Sequence, residues 1–188
     1  MEEKIRAFLA LPIDDEVRVK LGPSLAVLKR GPIRPVAAAS LHLTLRFFGD
    51  ITSVTAGAIA DHIGQALLRR PLGSFSIGLE GKGIFPLRGA PRVLWVGVSG
   101  DLNSLTDLAV LAEEAAQACG LPAERRPFSP HLTVGRIRDG TGLSRDEAER
   151  LLPDCHWGSW PVTRLLMMRS TLRPQGAHYS PLTEIELK

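Results

Sequence analysis

The 188-residue chain is 44% hydrophobic and 23% charged, with a formal charge of +3 and a pI near 9.2. This is ordinary globular composition, and the length suffices to bury a core without disulfide staples. No apolar run approaches the ~20 residues of a membrane helix, and Met1 to Arg6 lack the basic region and apolar core of a secretory leader, which points to a soluble cytoplasmic protein.

The mild basic excess suits a phosphate-bearing ligand but falls short of a dedicated nucleic-acid binder. Cys119 and Cys155 have no Cys-x-x-Cys spacing and are expected to be reduced thiols. In chain order, Lys4 to Leu11 alternate as a strand that ends at Pro12. Asp14 or Asp15 then caps a helix through Val17, Leu21, Leu25 and Leu28, with Gly22-Pro23 expected to break or kink it. After the Gly31 to Pro35 turn, a strand covers Leu41 to Phe48, and Thr52 or Ser53 opens a helix through Ile59, Ile63 and Leu67. Phe75 to Glu80 and Arg92 to Val98 read as strands joined by the turn-rich stretch Gly81 to Pro91, long enough to overhang a site.

Asp101 caps the clearest helix, Leu102 to Cys119, whose stripe of Leu105, Leu108, Ala112 and Ala115 faces a core. A strand over Pro130 to Arg138 precedes a short helix opened by the capping box Ser144-Arg145-Asp146-Glu147. Strands over Val162 to Ser170 and Tyr179 to Leu187 complete the chain. Strands outnumber helices and most connections suit antiparallel neighbours, so the expected fold class is α+β with two similar lobes forming a single domain, 1–188.

The lobes show themselves in two hexapeptides, Ser40-Leu41-His42-Leu43-Thr44-Leu45 and Ser129-Pro130-His131-Leu132-Thr133-Val134. Alternation puts His and Thr on one face of each strand and the branched apolar residues on the other. Two such strands facing each other across a cleft would set two imidazoles on opposite sides of one reacting centre. With an unperturbed pKa of about 6.5, one ring can be neutral while the other is protonated, as general acid-base catalysis requires. Threonine hydroxyls donate to nonbridging phosphate oxygens, and an arginine offsets the charge of a pentacoordinate phosphorus. Phosphodiester cleavage uses all these parts. His62, His156 and His178 have no acidic or cysteine companions at ligand spacing, so no metal or other cofactor is expected.

At this point the chain resembles the two-histidine phosphoesterases with paired His-x-Thr-x motifs, specifically the RNA 2',3'-cyclic phosphodiesterases, also called 2'-5' RNA ligases. The resemblance rests on Arg6 to Leu11, Leu41 to Asp50, Pro91 to Val98, Phe128 to Arg136 and Arg169 to Pro174. It implies a bilobal, pseudo-twofold fold with antiparallel sheets lining a central cleft and helices outside. It also implies metal-independent opening of RNA 2',3'-cyclic phosphate ends to 2'-phosphates, with reversible 2'-5' ligation as a secondary activity. By position, His42 would protonate the departing 3'-oxygen and His131 would activate water. Thr44 and Thr133 would hold the phosphate, Arg136 would neutralise the transition state, and Phe8 would stack on the terminal base.

Alternation places Arg46 on the face of His42, a second candidate for binding phosphate, but sets Arg136 opposite His131. A bulge at Gly135 would return Arg136 to the cleft. Two other functions use the same motifs: a cyclic phosphodiesterase for small nucleotides, and a non-catalytic binder of terminal RNA phosphates. A monomer is expected, since no surplus apolar face is evident.

Overall fold

The computed structural model describes residues 3–173 and 176–187; Pro174, the last residue of the family-like segment Arg169 to Pro174, lies outside them. Strand β1 (Lys4–Pro12), helix α1 (Asp15–Lys29), strand β2 (Ile33–Pro35), strand β3 (His42–Thr52) and helix α2 (Ser53–Arg69) make the first half. Strands β4 (Phe75–Phe85) and β5 (Val93–Gly100), helix α3 (Leu102–Ala118), strand β6 (His131–Ile137) and helix α4 (Arg145–Glu149) follow. Strands β7 (His156–Val162), β8 (Arg164–Arg173) and β9 (Gly176–Glu186) close the chain. The fold class is α+β, with two antiparallel sheets ordered β3-β1-β8-β9 and β2-β6-β5-β4-β7.

Apart from β2, the two orders correspond strand for strand. The histidine strands β3 and β6 pair with β1 and β5, which pair in turn with β8 and β4. Two of the helices, α1 and α3, cross between the sheets. Helix α1 leaves β1 of the first sheet yet packs on β7, β2 and β6 of the second. Helix α3 leaves β5 of the second yet packs on β3 and α2 beside the first. Each sheet therefore packs in part against a helix supplied by the other half, with α2 of the first half also lying on β1, β3 and β9, and one contiguous core runs from Ile5 to Leu187.

Sequence and structure differ at several elements. Helix α1 runs unbroken through Pro23, which is exposed. The carbonyl that loses its donor belongs to Val19, a residue on the solvent side with 75% exposure, while Val17, Leu21, Leu25 and Leu28 bury a continuous stripe. Strand β4 continues past Glu80 to Phe85, because a bulge absorbs the glycines. The register with β5 jumps from Leu79–Val98 to Lys82–Val96, and Gly81 sits at φ 75°. Strand β7 occupies a stretch where no strand was expected. Its Trp157, Trp160 and Val162 are buried, and Pro161 is tolerated because β7 lies at a sheet edge. Strand β2 takes up part of the expected turn.

Glycines test the packing. A Cβ on Gly97 would sit 2.5 Å from the carbonyl oxygen of Glu80, whereas one on Gly64 in α2 meets nothing within 4 Å. Gly97→Ala is therefore expected to lower the free energy of unfolding by about 1–3 kcal/mol. Gly64→Ala should raise it by up to about 1 kcal/mol through helix propensity. Urea titration of both variants checks the pair of signs.

Candidate active site

The two motifs lie on strands that approach one another: β3 is the edge of the first sheet and runs close to β6 of the second. Leu43, Leu132 and Val134 are wholly buried on the core side, while His42, Thr44, His131 and Thr133 are partly exposed on the other. His42 and Thr44 lie opposite Pro12 and Ala10 on β1; His131 and Thr133 lie opposite Gly97 and Trp95 on β5. The same local device fixes both rings. His42 Nδ1 donates to the Ser40 carbonyl at 2.8 Å, and His131 Nδ1 donates to the Ser129 carbonyl at 2.7 Å. A carbonyl only accepts, so Nδ1 carries the hydrogen and Nε2 is left to exchange protons.

Aromatic rings wall each imidazole. His42 lies 4.8 Å from Phe8 and 4.8 Å, edge-on, from Tyr179. His131 lies 4.9 Å, edge-on, from Phe85 and 6.3 Å from Trp95. Burial pushes the His42 pKa below its ordinary 6.5, and the bond to Ser40, which favours the charged ring, recovers only part of the loss.

Arg136 reaches the histidine face through a bulge. The β5 register passes from Trp95–Thr133 to Leu94–Gly135, so Val134 is the extra residue and alternation restarts beyond it. Arg136 is then exposed between Gly135 and Ile137, which are both buried. A Cβ on Gly135 would lie 2.5 Å from the Ile33 methyl group, so the closeness of β2 demands glycine there.

A bulge in β3 has the opposite consequence for Arg46. The β1 register passes from Ala10–Thr44 to Leu9–Arg46, which makes Leu45 the extra residue. The Arg46 side chain is only 11% exposed. Its Nε donates to Glu113 at 2.5 Å, and its terminal nitrogens reach Glu124, the Pro122 carbonyl and the Phe47 carbonyl. Burial opposes ionisation of Glu113, but Gln117, the Glu124 amide and Arg46 together hold its carboxyl below the usual range. Arg46 is therefore committed to α3 and the segment after it, away from His42 and Thr44.

Phe8 also departs from its expected place. At 1% exposure it lies beneath the site and presents no face to a base. The accessible ring is Phe47, 38% exposed, parallel to Phe8 at 5.8 Å, with the Arg6 guanidinium 4.9 Å from its centre. Counting from the histidines would have found it, because Phe47 follows His42 by the same interval that separates Arg136 from His131. Tyr179, Phe85 and Trp95 come from distant strands and left no local signal.

Among the described residues no group of histidine, cysteine and acidic side chains is arranged to hold a metal. No helix among them is long and apolar enough to cross a membrane. A groove of about 600 Å³ between α2 and β9 contains neither motif.

Removing Arg46 would take a largely buried cation from Glu113 and Glu124, leaving Glu113 with Gln117 and the Glu124 amide and Glu124 with Arg126. Arg46→Ala is expected to cost about 2 kcal/mol in urea unfolding, with ligand affinity at the histidines changed far less than by Arg136→Ala. Equal loss of affinity in the two variants would return Arg46 to the binding surface.

The family model described as the 2'-5' RNA ligase superfamily matches residues 21–173. The RNA 2',3'-cyclic phosphodiesterase of Archaeoglobus fulgidus is 30% identical over 97% of this chain and 100% of its own. That of Methanothermobacter thermautotrophicus is 31% identical over 98% of this chain and 100% of its own. Among solved structures, the TT0787 protein of Thermus thermophilus superposes with a TM-score of 0.80 at 27% identity, covering 97% of this chain and 98% of that one. E. coli LigT complexed with 3'-AMP gives 0.78 at 28% identity, covering 98% of this chain and 99% of that one. The paired motifs, the matched sheets and the extent of these similarities agree, and the chain belongs to the 2'-5' RNA ligase superfamily.

Proposed function

We propose that this protein is an RNA 2',3'-cyclic phosphodiesterase that opens cyclic ends to 2'-phosphates by metal-independent two-histidine catalysis. The observation that carries the proposal is the pair of imidazoles fixed by the same Nδ1-to-carbonyl bond on adjoining strands, each with a threonine on its face. His42 gives its Nε2 proton to the 3'-oxygen as the P–O3' bond breaks. His131 takes a proton from water as the new P–O bond forms. Thr44 and Thr133 donate to the nonbridging oxygens, and Arg136 offsets the charge that builds on them. Phe47 offers its open ring to the terminal base. The curated relatives named for this activity support the reading, as does the LigT structure holding 3'-AMP.

Both histidines come from one chain, so a monomer holds the complete site, and the two halves act as one catalytic domain in the cytoplasm. Ligation, in which a 5'-hydroxyl replaces water and attacks the cyclic phosphate to give a 2'-5' link, keeps the proton roles, with His131 taking the 5'-hydroxyl proton and His42 protonating the departing 3'-oxygen; the roles exchange when that link is cleaved back to the cyclic phosphate.

Hydrolysis of a short RNA ending in a 2',3'-cyclic phosphate, in excess EDTA, tests the mechanism. The wild type should yield a 2'-phosphate, and His42→Ala or His131→Ala should each lose about 10²- to 10⁴-fold in kcat. A wild type silenced by EDTA, or a variant at full rate, would refute the assignment.

The lowered His42 pKa sets a second expectation. As the acid, His42 must be protonated, so kcat/KM should fall as pH rises through a free-enzyme pKa below 6.5. Anionic substrate favours the charged ring, so the corresponding limb of kcat should lie at higher pH. A basic limb in kcat/KM well above 6.5 would take the acid role from His42.

A further inference from the structure

Strand β2 places a second arginine beside the proposed reaction centre. Ile33, Arg34 and Pro35 pair with Ile137, Arg136 and Gly135 of β6. Ile33 and Ile137 are buried at 0% and 8% exposure, so the directly opposed Arg34 and Arg136 project from the other face, the face of His131 and Thr133. Both arginines are exposed, and neither forms an ion pair among the described residues. Like charges directly opposite on neighbouring strands repel, so this arrangement costs stability unless anions occupy it.

We propose that Arg34 binds the phosphodiester linking the terminal nucleotide to its 5' neighbour, making the enzyme selective for oligonucleotide ends over cyclic mononucleotides. The proposal rests on the phosphodiesterase reading above. Thr133 and Arg136 are three residues apart on a bulged strand, about 7 Å along the cleft, and Arg34 lies one strand spacing, about 5 Å, to the side. Arg136 is thus the arginine nearer the reacting phosphate, and Arg34 stands about one nucleotide step away from it. A dinucleotide end supplies two separate negative charges to two guanidiniums; a cyclic mononucleotide supplies one. The same segment also sets His42. The Val36 N–H donates to the Val134 carbonyl at 2.9 Å, and the turn Ala38–Ser40 then delivers the carbonyl that fixes the imidazole.

The test compares kcat/KM on adenosine 2',3'-cyclic phosphate, on the adenylyl-adenosine dinucleotide with the same cyclic end, and on that dinucleotide with a neutral methylphosphonate link. The wild type should favour the charged dinucleotide by about tenfold and lose the advantage on the neutral one. Arg34→Ala should act on the mononucleotide within about twofold of wild type, lose about tenfold on the charged dinucleotide, mostly in KM, and show a shallower salt dependence there. Arg34→Lys should recover part of the loss, and Arg136→Ala should be impaired on every substrate.

A wild type indifferent to the link charge would overturn the subsite, as would an Arg34→Ala variant equally impaired on all three substrates. In either case the hydrolase reading stands. A wild type that opens none of the cyclic ends overturns the hydrolase reading itself and the subsite with it.

Discussion

The ion pairing of Arg46 is a directional contact that ties the first histidine strand to the second half of the chain. Its strand carries the first histidine motif, and its partners, Glu113, Glu124 and the Pro122 carbonyl, lie on α3 and on the segment that leads into the second. Among the described residues, few other side-chain bonds join residues so far apart in sequence near the cleft. Apolar packing holds the sheets and helices together, but it is non-directional and tolerates small sliding. A guanidinium forked between two carboxylates and a carbonyl tolerates much less, because its donors have fixed directions. Arg46 thus fixes its strand against α3 and the segment after it, although it touches neither imidazole.

Duplication gives both strands the same construction and then diverges at one position. In β3 and β6 alike, a bulge after the threonine restarts alternation and returns the residue five places beyond the histidine to the cleft. That residue is Phe47 in one half and Arg136 in the other. An aromatic ring matches a base and a guanidinium matches a phosphate, so under the proposed mechanism one backbone device would support two kinds of recognition. The residue just before it diverges as well. Arg46 turns away into ion pairs, whereas Gly135 has no side chain and lets β2 close in with Arg34.

The sequence made much of this legible, and its omissions have physical causes. The histidine strands were visible because one face of each is buried and the other open, the condition under which period-two alternation appears. Gly135 announced its bulge, since glycine within a strand is a recognisable anomaly. The bulge at Leu45 gave no such sign, which is why simple alternation set Arg46 beside His42. Strand β7 was hidden by Gly158 and Pro161, residues that punctuate chains in general but are acceptable in an edge strand. The glycines at 81 and 83 suggested a turn. One makes a bulge, and the other leaves room for the Trp95 ring beside the second histidine. Phe8, apolar and alternating on β1, gave no indication that Phe47 and Tyr179 would cover it.

The enclosure of His42 bears on how the proposed cycle is ordered. An imidazole whose burial lowers its pKa is a stronger acid once charged but is hard to charge in an empty site. The proposed phosphodiester substrate would reverse the balance by bringing negative charge beside the ring. Under the proposed mechanism, loading of the acid would then be coupled to substrate binding, and a proton would become available at the leaving oxygen when there is a bond to break. Increasing the exposure of His42 would ease its protonation in the free enzyme and weaken it as an acid, so under the proposed mechanism the aromatic wall of Phe8 and Tyr179 would act through the dielectric around the ring as well as by holding it in place.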